Sequence, residues 1–232
     1  MAAWAGRKNL ISLMNLKQIL AELNKHANAK NVAGMARFGI NSKNTLGINI
    51  PTLRALAKKI GKDHQLAVEL WQTGIHEARL LAGFIDDYKQ VTDQQMERWV
   101  KDFDSWDICD QVCSNLFDKT PLPYEKAKKW AVRKEAFVRR AGFVMMACLA
   151  VHDKKAPDEK FKLFFPLIKE YSTDERNFVK KAVNWALRQI GKRNPALKTE
   201  AIKLGEEIVK VDSPAAKWIA RDAIRELKSR KF

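Results

Sequence analysis

The 232-residue sequence is poor in the side chains that most catalytic and metal centres use. It holds three cysteines, Cys109, Cys113 and Cys148, an odd number, each at a position that reads as core. A disulfide framework is excluded, and free buried thiols in a reducing compartment are the expectation. Cys109 and Cys113 stand one helical turn apart, but the four scattered histidines, His26, His64, His76 and His152, supply no matching pair, so no metal site is expected. There is no phosphate-cradling glycine loop, no HExxH and no Cys/His/Asp constellation, and no cofactor is implied. No segment is a long apolar run, so no membrane partner is expected. No stretch alternates strictly as a half-buried strand does. Arg7 and Lys8 interrupt what would be the apolar part of a signal peptide, which points to a cytoplasmic protein, associated with the nucleoid if bacterial.

Acidic residues are also in deficit. Lys and Arg total 43 against 27 Asp and Glu, a formal charge of +16, while 46% of residues are apolar. A chain with that apolar content folds, and its basic exterior favours a polyanion, nucleic acid before membrane.

What is present is helical spacing from end to end. Amphipathic helices are predicted over 7–24, 30–38, 52–61, 64–73, 76–90, 93–102, 124–134, 136–151, 157–171, 174–191, 196–209 and 214–229, with the central motif helix within 104–118. Gly47 and Pro51 break the pattern before the third, with Asn49 or Ile50 leading into it. Apolar quartets at i, i+3, i+4, i+7 begin at Ala78, Cys109, Ala141, Ala182 and Ala220, separated by 31, 32, 41 and 38 residues. Gln189 interrupts the fourth. Each interval leaves room for one more helix, the rhythm of stacked helix pairs near the HEAT or armadillo period. A single domain over 1–232 is predicted, 1–40 capping and 41–229 the repeat array, all-α and a curved solenoid rather than a closed bundle.

The stretch 104-DSWDICDQVCSNLFD-118 organises the chain. Cys109, Val112, Cys113, Leu116 and Phe117 form its apolar stripe, and Trp106 and Asp110, one turn apart, point together out of the core. Asp104 or Ser105 can cap the helix, and Asp107 in its first turn suits the helix dipole. In 178-FVKKAVNWALRQIG-191, Lys181, Trp185 and Arg188 form one stripe, an indole between two cations. Arg139 and Arg140 lie off the apolar face of their helix and are expected to reach solvent, where guanidinium forks suit phosphates. The last helix adds Lys217, Arg221 and Lys228. A carboxylate amid such cations would repel phosphate unless positive charge develops nearby during reaction. Cleaving an N-glycosidic bond develops it, because the sugar becomes oxocarbenium-like and a carboxylate and an indole face can both stabilise it. Each residue also has a plain structural reading: Trp185 as packing, Arg140 as a solvated side chain, Asp110 as the partner of a neighbouring cation.

The motifs 35-MARF-38, 47-GINIPTLR-54, 105-SWDICD-110, 139-RRA-141 and 178-FVKKAVNWALRQIGKRNP-195 occur in order over about residues 33–195. In them the chain resembles the AlkD-type DNA alkylation repair glycosylases, HEAT-like repeat proteins that excise cationic N3- and N7-alkylated purines. The resemblance implies a right-handed superhelical solenoid with a basic concave groove, duplex DNA carrying alkylated purines as partner, a monomer, and hydrolysis without base flipping. It casts Asp110 as the catalytic carboxylate, Trp106 and Trp185 as contacts to the lesion's deoxyribose, and Arg140 as a phosphate ligand. Asn49 and Pro51 fall in the loop near the damaged pair, and Arg139, Lys181, Arg188 and Phe38 join the DNA-binding set. Ser105 stands where the pattern has a second tryptophan and Phe38 where it has a tyrosine. The alternative is a HEAT-like protein that binds damaged or branched DNA without excising bases.

Overall fold

The computed structural model describes residues 14–232. Among them the regular structure is entirely helical. The helices are α1 (Leu16–Lys25), α2 (Ala29–Arg37), α3 (Ile50–Ile60), α4 (His64–Gln72), α5 (His76–Ile85), α6 (Asp93–Lys101), α7 (Trp106–Asn115), α8 (Pro123–Ala131), α9 (Ala136–His152), α10 (Asp158–Lys162), α11 (Phe165–Glu170), α12 (Asn177–Gly191), α13 (Pro195–Ile208) and α14 (Pro214–Ser229). None is long and apolar enough to cross a membrane.

Local chemistry sets the ends. Asn15 and Gln18 bond each other's backbone amides in a reciprocal cap on α1, and Asn28, Asn49, Asp63, Thr92, Asn194 and Ser213 cap six further helices with their side chains. The predicted helix over 76–90 stops at Ile85, because Lys62 Nζ bonds the carbonyls of Phe84 and Asp86 at 3.0 and 2.7 Å. The predicted helix over 157–171 is two, since Pro166, in the first turn of α11, has no amide to continue α10. The motif helix ends at Asn115, and Phe117–Lys119 form a 3-10 turn. Residues 7–13 of the first predicted helix lie outside the described residues.

Packing follows the quartets. Their starting residues, Ala78, Cys109, Ala141, Ala182 and Ala220, fall in α5, α7, α9, α12 and α14, and all five are fully buried. With α3 these helices make one row, each against the next, while α4 backs α5, α8 backs α9 and α13 backs α12 and α14. That is a two-layer array of helix pairs. Cys109, Cys113 and Cys148 are buried and free within it, and burial pushes the thiols of Cys113 and Cys148 up. Trp71 and Trp99 stack at 4.0 Å between ring centroids, and Phe103, Phe117 and Trp130 extend the aromatic core. Helix α9 meets α8 at Gly142, where a Cβ would lie 2.3 Å from the Ala131 amide nitrogen.

Candidate functional site

Helix α7 begins at Trp106, but neither predicted cap bonds it. Ser105 stands at the N-cap position with its Oγ buried and unpartnered, and Asp104 Oδ2 instead accepts from Asn41 Nδ2 at 2.7 Å. Asp107 also does more than face the helix dipole. It is buried, and its Oδ2 lies 2.8 Å from His76 Nε2 of α5. Burial works against protonation of His76, yet the Asp107 bond and charge prevail and raise its pKa above 6.5.

Asp110, one turn beyond Trp106, is largely buried and meets a fork. Arg140 Nε donates to Oδ1 at 2.9 Å and Nη2 to Oδ2 at 2.7 Å, while Nη1 donates to the Phe178 carbonyl at 2.5 Å. Arg140 therefore does not reach solvent as its helix position suggested: only 5% of it is exposed, because the acid one helix back in the row draws it inward. Burial raises the Asp110 carboxyl, against the lowering pull of Arg140; burial likewise opposes charge on Arg140, and Asp110 overrides it and raises that pKa. Three of the five guanidinium N–H groups are engaged, and each carboxylate oxygen retains acceptor capacity.

Asp110 and Arg140 line a cleft of about 410 Å³ with Lys181, Asn184, Trp185 and Arg188 of α12 and Trp218 and Asp222 of α14. Trp185 is half-buried there and Lys181 is exposed. Arg188 is not a free cation beside the indole, since it pairs with Glu226 and lies 3.8 Å from Asp222. Arg139 is likewise turned from solvent. Its Nη1 lies 2.7 Å from Asp174 Oδ2 and its guanidinium sits over Tyr171, lining a separate cleft with Lys134 and Arg176.

Trp106 lines a different, more apolar cleft of about 810 Å³ with Lys30, Arg37, Phe38, Ile40 and Asn49. Its Nε1 donates to the Phe38 carbonyl at 3.0 Å. Phe38 is 73% exposed, and the next residue, Gly39 (φ +75°), lies so close to Phe178 that a Cβ would come within 2.5 Å of the ring. The Phe178 ring lies under Gly39, and its carbonyl accepts from Arg140. Asn49 Oδ1 accepts from the Thr52 amide at 2.9 Å as the α3 cap, and Pro51 is exposed in the first turn of that helix.

The loop before α3 is held by a residue the sequence pattern passes over. Glu77, fully buried, accepts from the amides of Leu46, Gly47 and Ile48 at 2.8, 2.7 and 3.2 Å. Gly47 (φ +81°) leaves no room for a side chain, as a Cβ would stand 2.2 Å from the Asn28 carbonyl. A glutamate on the buried stripe of α5 was the available signal, since a buried charge must find donors. Trp218, which the sequence pattern also passes over, lies next to Lys217 on α14, off the Ala220 quartet. Among the described residues no three His, Cys, Asp or Glu side chains converge as a metal centre requires.

The sequence model of the DNA alkylation repair enzymes matches residues 19–227. The chain belongs to that family. A solved structure, described as a new family of proteins related to the HEAT-like repeat DNA glycosylases with affinity for branched DNA structures, superposes with a TM-score of 0.76 at 21% identity, covering 92% of this chain and 95% of that one. The fold of this family member is therefore HEAT-like. A comparison with curated protein sequences finds no match.

Proposed function

We propose that the protein is a monofunctional DNA glycosylase that hydrolyses the N-glycosidic bond of cationic N3- or N7-alkylated purines in duplex DNA. The observation that carries this reading is the cleft in which the Asp110 carboxylate and the Trp185 indole meet among cations. An alkylated purine leaves with the electron pair of the C1′–N bond and becomes neutral, so no strong general acid is needed. The positive charge passes to the sugar, where Asp110 and the indole face of Trp185 oppose it, while Trp106, from its own cleft, joins the DNA surface. Water adds to C1′ and loses its proton. Arg140 pulls the carboxyl toward its charged form and orients it, and its two unused N–H groups, with Lys181, suit the flanking phosphates. Arg188, Arg139, Phe38, Asn49 and Pro51 belong to the wider DNA surface, a basic groove of a right-handed superhelix acting as a monomer.

A second reading, binding of damaged or branched DNA without base release, draws on the fork that already occupies Asp110. The two part on Asp110→Asn. For a glycosylase, release of 7-methylguanine from methylated DNA falls about 100-fold or more while DNA affinity persists. Wild-type protein that binds DNA and frees no base selects the binding module, and release at an unchanged rate in the mutant removes Asp110 from catalysis.

A further inference from the structure

The cleft holds an aromatic that the proposed chemistry does not use. Trp218 is the only exposed tryptophan among the described residues, at 41%, with Trp106 and Trp185 half-buried and Trp71, Trp99 and Trp130 buried. It stands on α14 and lines the cleft with Trp185 and Asp110. Lys180 Nζ lies 5.4 Å from its ring centroid, Lys181 lines the same cleft, and Arg221 follows one turn along α14. Among the described residues none of these three cations pairs with an acid, whereas Asp222, the acid in the cleft, is held by Arg188 and Arg225.

An indole left in water beside unpaired cations matches one polyanion feature in particular. A paired duplex hides its base faces in the stack and presents phosphates and sugars, so it gives this ring nothing flat to meet. An unpaired nucleotide offers both a π-face and a phosphate, and stacking of that kind tolerates any base. We propose that Trp218 is a stacking platform for an unpaired nucleotide, so that the protein prefers DNA with a gap, bulge or branch over the intact duplex. The inference rests on the DNA-binding reading above and is independent of catalysis at Asp110.

The test compares two labelled probes by fluorescence anisotropy, an intact duplex and the same duplex with a short single-stranded gap. Trp218→Ala weakens binding to the gapped probe about 5- to 100-fold and changes intact-duplex binding by less than about twofold. Trp218→Phe retains most of the affinity but loses the extra quenching of tryptophan emission that the gapped probe causes over the intact duplex in the wild type, a readout that stands even if the alanine variant folds poorly. Equal losses on both probes, unchanged gapped-probe affinity in the alanine variant, or the same extra quenching by the gapped probe in Trp218→Phe would overturn the inference while leaving the DNA reading intact. Wild-type protein that binds neither probe refutes both.

Discussion

Asp110 and Arg140 show how a site can be built from groups that would be ruinous alone. Removing either leaves a buried charge without its partner, whereas together they hold a carboxylate at one orientation beside an indole. His76 and Asp107 repeat the device one turn earlier, tying α5 to α7. The raised pKa of His76 means that the folded state binds its proton more tightly than the unfolded chain does. That stabilisation is complete below 6.5, the ordinary histidine value, and is lost as pH rises through the higher folded value. Urea titrations should therefore give a lower midpoint at about pH 8.5 than at about pH 6. In His76→Gln this component of the difference should vanish; a pH dependence identical to the wild type would assign it elsewhere.

At the level of elements, spacing in the chain was most informative where a helix packs on one face. The five quartets located α5, α7, α9, α12 and α14, because a row of helices must repeat its buried stripe wherever it meets a neighbour. Helix ends were less legible when the cap came from far away, as with Lys62 on α5. The same holds for the candidate site. Helical spacing puts Trp106 and Asp110 side by side and outward, but Trp106 faces another cleft and Asp110 is drawn inward by Arg140, which lies thirty positions away and meets it only through the stacking of α7 on α9. Solvent exposure of Arg139 and Arg140 was misread because periodicity places a residue off its own helix's stripe without showing what the next element puts there. Gly142 supplies a sharp check on the row. Ala131 and Ala127 backbone atoms lie 2.3 to 2.8 Å from where its Cβ would be, so α8 and α9 must separate to admit a methyl group. Gly142→Ala should lower stability by roughly 3 kcal/mol in chemical denaturation, and a neutral result would mean that the two helices shift apart freely.

For the molecule as a whole, a formal charge of +16 sets the reach of its electrostatics. Binding to DNA should weaken linearly in log–log form as salt is added, each phosphate contact contributing about 0.9 to the slope. Lys181→Ala should reduce that slope by about 1 and weaken affinity evenly across sequences, as measured by anisotropy over a salt series. A slope unchanged from the wild type would place Lys181 outside the bound surface.

The Phe38–Gly39 corner joins these scales. Because the Phe38 carbonyl holds the Trp106 indole and Gly39 rests on Phe178, fraying of the two leading helices would unseat that indole and bare the Phe178 ring in one event. Whatever fraction of molecules has this amino-terminal latch undone is withdrawn from the binding-competent population, so the tightness of the latch scales the apparent affinity of a site whose acid lies in another repeat.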